Sequence, residues 1–174
     1  MKYIILHGWF LSKNSDWYGW LKETLEKQGN EVFLENLPTM TTENPNLNEI
    51  INFLEQKIDF KNQEICIVGH SLGSVVALRL AEKYKFKKLI LVSCWDWNDL
   101  TAEHQNFWTN PINHQKIRNN VSEIVCINSN NDPYIGWAIA QEMAEKRLNA
   151  KFVLVENAGH FTKINTFEKI LEEC

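Results

Sequence analysis

The sequence predicts an α/β fold whose parallel sheet is covered by helices on both faces. Two observations carry this. Six short runs rich in β-branched residues, at 3–6, 32–34, 65–68, 88–92, 124–127 and 152–155, read as strands. Several are apolar at consecutive positions, as strands buried on both faces are. Between them lie segments with apolar residues at helical spacing, so strand and helix alternate along the chain.

In order, the strand at 3–6 is followed by a helix at 17–27 that gathers Trp17, Trp20, Leu21 and Leu25 on one face. After the strand at 32–34, a linker at 36–46 containing Pro38 and Pro45 leads into a helix at 47–58, with Leu47, Ile50, Ile51, Leu54 and Ile58 on its apolar side. The strand at 65–68 passes almost directly into a helix at 71–84 carrying Val75, Val76, Leu78, Leu80 and Ala81. Lys83, Lys85, Lys87 and Lys88 lie at the end of that helix and read as cations opposing its dipole. Beyond the strand at 88–92, residues 94–120 are the longest stretch without a strand, with room for short helices at 102–108 and 111–118. The strand at 124–127 ends in Asn128-Ser129-Asn130-Asn131-Asp132-Pro133, a turn-forming run, and helices at 134–148 and 164–173 flank the last strand.

The chain has 174 residues, of which 44% are hydrophobic and 23% charged, the make-up of a globular protein expected to form one domain over 1–174. A chain of this size buries roughly 70% of its unfolded surface and needs no staples. A net charge of −4 argues against a nucleic-acid binder that works by neutralising phosphates. No apolar run approaches the roughly 20 residues of a membrane helix, and the opening apolar stretch is too short for a secretory signal. Cys66, Cys94, Cys126 and Cys174 are widely separated, with no C-x-x-C, so they are expected to be reduced thiols in a cytoplasmic protein and not metal ligands. Trp95, Trp97 and Trp108 cluster in a polar stretch and point to an aromatic pocket or surface.

The sharpest chemical signal is Gly69-His70-Ser71-Leu72-Gly73, a G-x-S-x-G run set between a strand and a helix. That is the context of a nucleophile elbow, in which the tight turn strains the serine backbone and pushes its hydroxyl outward. The glycines leave room where a side chain would clash, and the helix start favours developing negative charge. A serine hydroxyl needs a base, and the base an orienting acid. In the order Ser, acid, His, His160 is the expected base, since it follows the last strand at the sheet edge where strand C-termini converge; His104 and His114 read as surface or pocket-lining residues. Asp132, stiffened by Pro133, is the favoured acid, with Asp96 as its rival and Asp99 a further candidate. Asp132 also reads as an N-cap for the helix at 134–148. The N–H groups of Leu72 and Trp9 are the expected oxyanion donors, with Gly8 letting the backbone come close to substrate. His7 is given a structural role, and His70 is expected to point away from the serine and to take no part in proton transfer.

The chain resembles the small cap-less α/β-hydrolases related to retinoblastoma-binding protein 9 and the bacterial YdeN-like proteins. The residues that carry the resemblance are Trp17-Tyr18-Gly19-Trp20, Asn36-Leu37-Pro38, Gly69-His70-Ser71-Leu72-Gly73, Leu91-Val92-Ser93, Ser129-Asn130-Asn131-Asp132-Pro133-Tyr134 with Trp137, and Ala158-Gly159-His160-Phe161. The resemblance maps the family's serine, aspartate and histidine onto Ser71, Asp132 and His160. It implies a minimal α/β-hydrolase fold with a six-stranded parallel sheet, and a serine hydrolase that acts on ester or amide bonds without a cofactor or metal. The expected strand order is 2-1-3-4-5-6, with no large lid domain. Two departures stand out. His7-Gly8-Trp9-Phe10 is bulkier than the glycine-rich loop of some relatives, and the L-x-C-x-E motif is absent, so no retinoblastoma-type partner is implied. The expected partner is a small-molecule acyl substrate, held between candidate walls Trp9, Trp95, Trp97, Trp108 and Trp137. A non-catalytic interaction module and an acyltransferase using the same three residues are the alternatives.

Overall fold

The computed structural model describes residues 1–61 and 64–174. Strand β1 (Lys2–Leu6) leads to α1 (Tyr18–Lys27), β2 (Glu31–Phe33), α2 (Leu47–Lys57), β3 (Ile65–His70), α3 (Leu72–Ala81) and β4 (Phe86–Val92). A 3₁₀ segment (Ala102–Trp108) and α4 (His114–Asn120) precede β5 (Val121–Ser129); α5 (Trp137–Glu142) runs on into a π-helical turn (Met143–Leu148), and β6 (Lys151–Val155) and α6 (Glu168–Leu171) follow. The six strands pair in the order β2-β1-β3-β4-β5-β6, all parallel. This is the α/β-hydrolase arrangement expected from the sequence.

Strand periodicity sorts the apolar residues into two layers. Ile4, Leu6, Ile65, Ile67, Leu89 and Leu91 face the side covered by α2 and α3. Tyr3, Ile5, Cys66, Val68, Ile90 and Val92 face the side where α1 supplies Leu21 and Leu25 and the C-terminal segment supplies Phe167 and Ile170. Helix α3 lies deepest: nine of its ten residues are buried, so it has almost no polar face. Its position under the sheet centre fixes where the β3–α3 turn points.

Three helices start three or more residues later than expected. The helix expected from 134 begins at Trp137, with Gly136 as its N-cap. Asp132 Oδ1 takes the N–H groups of Tyr134 and Ile135 and holds that stretch as a turn, so the helix starts beyond it. The helix expected over 164–173 is reduced to Glu168–Leu171. The segment before it is bent by left-handed residues at Phe161 and Lys163, and the Lys163 N–H is held by the Asp16 carboxylate. The helix expected from 111 starts at His114, where the Asn113 side chain caps the Lys116 N–H. In the lysine run, Lys83, Lys87 and Lys88 pair with Glu55, Glu64 and Glu123. No helix among the described residues is long and apolar enough to cross a membrane.

Candidate active site

Ser71 sits between β3 and α3 at φ 54° and ψ −126°, a strained conformation for a residue with a side chain. The turn closes only because of its glycines. A Cβ on Gly73 would lie 2.3 Å from the Leu6 carbonyl oxygen, and one on Gly69 would lie 2.7 Å from the Gly73 oxygen. The Ser71 N–H donates to the Val92 carbonyl at 2.9 Å, and its own carbonyl accepts from the N–H and Oγ–H of Ser74 at 2.8 and 2.6 Å. The backbone is therefore saturated while the side chain is left for other partners.

That partner is His160. Its Nε2 lies 2.9 Å from Ser71 Oγ, and its Nδ1 lies 2.8 Å from Asp132 Oδ2. The structure thus brings together the three residues chosen from chain order. The Asp132 carboxylate is fully buried. Oδ1 accepts from the Tyr134 and Ile135 N–H groups at 2.9 and 3.1 Å, and Oδ2 accepts from Ser93 Oγ–H at 2.7 Å. Burial raises its pKa, but the pairing with His160, the Ser93 hydroxyl and the Tyr134 N–H outweigh burial and hold it below the usual carboxylate value. It stays an acceptor at neutral pH.

Sequence reasoning missed Ser93. It lies in the Leu91-Val92-Ser93 run but carries no motif of its own. It is buried, with φ 47°. Its contribution can be measured through stability. A carboxylate with a depressed native pKa adds stability above its unfolded pKa of about 3.9 and loses it as pH falls through the native value. Ser93→Ala removes one group that depresses it. The variant is expected to lose about 1–2 kcal/mol at pH 7 and to begin acid unfolding at higher pH than the parent. Urea midpoints measured from pH 7 to pH 3 check both.

A ladder of side chains holds the loop that carries His160 against the loop that carries Asp132. Asn130 Oδ1 accepts from the Asn157 N–H, Ser129 Oγ from the Ala158 N–H, and Asn131 Oδ1 from the Gly159 N–H, at 2.8, 3.0 and 2.8 Å. The next rung is Asp132 with His160 itself.

The rival acid is engaged elsewhere. Asp96 is buried in a two-pronged pair with Arg147, at 2.8 and 2.9 Å, and also accepts from His114. His7 accepts the Leu37 N–H on Nε2 at 2.9 Å, so its Nδ1–H donates to the Gly8 carbonyl; it is structural, as expected. His104 is buried at the cleft wall, edge-on to Trp9 at 5.3 Å. Burial pushes its pKa down.

Gly8 is pressed against the serine: a Cβ there would lie 3.0 Å from Ser71 Cβ. The expected oxyanion donors, the N–H groups of Trp9 and Leu72, belong to the residues directly after Gly8 and Ser71. Among the described residues neither amide donates to a protein acceptor. The serine and histidine open into a cleft of about 730 Å³ walled by Trp9, Trp95, Trp97 and Tyr134. Trp108 stands behind Trp95, and Trp137 lies exposed on α5, so neither is part of this wall. No group of three or more metal-ligating side chains occurs among the described residues.

A family model described as "Serine hydrolase" matches residues 3–172. The chain belongs to this family. The hydrolase is 32% identical over 157 residues to serine hydrolase RBBP9 of Rattus norvegicus, across 88% of this chain and 82% of that one. Among solved structures, it matches the ydeN gene product of B. subtilis with a TM-score of 0.87 and 22% identity, covering 99% of this chain and 95% of the other. It also matches Est1E of Butyrivibrio proteoclasticus with ferulic acid bound, with a TM-score of 0.74 and 15% identity, covering 99% and 85%. At these identities the two structural matches show the shared fold of the serine hydrolase.

Proposed function

We propose that this serine hydrolase cleaves ester or amide bonds of small acyl substrates through a Ser71–His160–Asp132 triad and an acyl-enzyme. The observation that carries the reading is the unbroken line of hydrogen bonds from Ser71 Oγ through the imidazole to a buried carboxylate. Asp132 accepts from Nδ1–H, which leaves Nε2 bare and able to take the Ser71 proton. Oγ then attacks the substrate carbonyl. The N–H groups of Leu72 and Trp9 receive the oxyanion, and imidazolium returns the proton to the departing alcohol or amine. Water, deprotonated by the same imidazole, releases the acid and restores the serine.

The aromatic walls support compact or aromatic acyl groups over long lipid chains, because flat rings pack on flat rings within a short cleft. The ferulic acid bound to Est1E is an aromatic acid of this kind. The whole chain acts as one catalytic domain with no cofactor. Its free thiols, three of them buried, support a reducing, cytoplasmic setting.

The test is the intact mass after reaction with a fluorophosphonate. The expected result is a single adduct on the parent and none on Ser71→Ala of unchanged fold. A parent that folds but takes no adduct overturns the reading in favour of a binding module. Product analysis with added alcohol or amine then separates hydrolysis from acyl transfer.

A further inference from the structure

Beneath the triad runs a second line of buried polar groups that the mechanism above does not use. His70, the residue before Ser71, is fully buried, as is Tyr18 at the start of α1. His70 Nε2 lies 2.8 Å from the carbonyl oxygen of His160, and His70 Nδ1 lies 2.5 Å from Tyr18 Oη. Tyr18 Oη also accepts the N–H of Gly8 at 3.4 Å.

The direction of every bond is forced. A carbonyl oxygen only accepts, so Nε2 of His70 carries a proton. Burial, followed by the nearby His160, pushes the His70 pKa down to about 3, so the ring is neutral and Nδ1 is bare. Tyr18 must then donate its O–H, and burial pushes that phenol up, which keeps the proton in place. Its remaining lone pairs face the Gly8 N–H. The order is Gly8 N–H to Tyr18 Oη–H to His70 Nδ1, then His70 Nε2–H to the His160 carbonyl.

The two ends of this line are two separate loops that both meet the serine. Gly8 belongs to the loop that presents the Trp9 N–H. His160 is the base. A parallel tie reinforces the second end: Trp17 Nε1–H donates to the Phe161 carbonyl at 3.0 Å, so consecutive carbonyls of the base loop are held by the same part of the molecule. A neutral ring also matters at this place. The rings of His70 and His160 are 5.3 Å apart, and a charge on His70 would oppose the imidazolium that forms on His160.

We propose that Tyr18 and His70 are positioning residues that set the distance between the oxyanion loop and the base. The inference rests on the triad reading above. It assigns no proton transfer to either residue. Tyr18 contributes one hydroxyl and His70 a neutral two-ended spacer, and together they keep the Trp9 N–H and the His160 ring in register across Ser71.

The discriminating variant is Tyr18→Phe, which removes the hydroxyl and keeps the ring. The expected result is a fall of about 10- to 100-fold in kcat on a 4-nitrophenyl ester and in the fluorophosphonate labelling rate. KM is expected to stay within about twofold, because the cleft walls are untouched. His70→Gln keeps a donor for the His160 carbonyl, so it is expected to retain more activity than His70→Leu. The pair is expected to act as a unit: Tyr18→Phe combined with His70→Leu costs no more than His70→Leu alone. A purely structural role would shift Tm and leave the rates per folded molecule at the parent value. Tyr18→Phe labelled at the parent rate overturns this inference alone. A folded parent that takes no label overturns the triad reading and this inference together. If His70→Leu does not fold, the Tyr18→Phe rates decide.

Discussion

Asp132→Asn is expected to lower kcat by about 10⁴-fold, the scale found when the acid of a Ser-His-Asp triad becomes an amide. The structure explains why the amide could not adapt. Oδ1 of Asp132 takes two backbone N–H groups, from Tyr134 and Ile135, so the oxygen of the substituted amide must stay on that side. The NH2 group then faces His160 and presents a donor where an acceptor is required. The imidazole answers by keeping Nδ1 bare and placing its proton on Nε2, pointed at Ser71. In that tautomer it has no lone pair to receive the serine proton. Fold and KM are expected to hold, since the two backbone bonds survive. Rates on a 4-nitrophenyl ester and fluorophosphonate labelling check this. A nearly unaffected Asp132→Asn beside a disabled Asp96→Asn would move the acid to Asp96. The expected phenotype of Asp96→Asn is lower Tm with the rate per folded molecule intact, because Asp96 is committed to Arg147 and His114.

Gly73→Ala is expected to leave no folded protein. The added Cβ would meet the carbonyl oxygens of Leu6 and His7 at 2.3 and 2.6 Å. Both are backbone atoms at the end of β1, which is paired into the middle of the sheet, so no side chain can swing away. Relief would need β1 and α3 to separate, and α3 is buried almost throughout. The cost is on the order of 5 kcal/mol or more, comparable with the entire stability of a domain of this size. The contrast is Gly19→Ala. Nothing lies within 4 Å of a Cβ there, and Gly19 sits within α1. That variant is expected to gain about 0.5–1 kcal/mol from helix propensity. Thermal unfolding followed by circular dichroism compares the two, and a Gly73→Ala protein melting like the parent would refute the packing argument.

Much of this architecture is legible in the chain. The runs at 65–68 and 88–92 read as strands because both faces are covered, which leaves Lys88 as their one charged position. Ser71, Asp132 and His160 stand out because each follows a strand, and parallel strands bring their C-terminal ends to one edge. Most of what stays hidden depends on pairing between segments far apart in the chain; the start of α5 is the local exception. Tyr18 stands out in the chain only as part of the Trp17-Tyr18-Gly19-Trp20 run, and only the fold shows its hydroxyl 2.5 Å from His70. Ser93 meets Asp132 across 39 positions. Helix α5 starts later than its pattern indicates because the Asp132 carboxylate captures the N–H groups of Tyr134 and Ile135. The C-terminal helix is shortened because Asp16 and Trp17 hold the chain around Phe161 and Lys163. Of the tryptophans considered for the cleft, Trp9, Trp95 and Trp97 line it; Trp108 and Trp137 have the chemistry of wall residues without the location.

The rungs formed by Ser129, Asn130 and Asn131 with Ala158, Asn157 and Gly159 impose a rule on how the molecule tolerates insertions. Each rung joins one side chain to one backbone N–H, so a single extra residue in either loop would offset every rung and carry His160 away from Asp132. These loops are locked in length. Beyond Ser93, which binds Asp132, the stretch up to β5 obeys no such count, since its ties run to the rim of α2 through Asn106, to Arg79 of α3 through the Phe107 carbonyl and to Arg147 through Asp96, and not to Asp132 or His160. It also supplies Trp95 and Trp97 to the cleft. Loop grafting that aims to change which acyl group is accepted therefore has a natural place to act, between residues 97 and 113, where length is free to vary while the proton-handling geometry is kept.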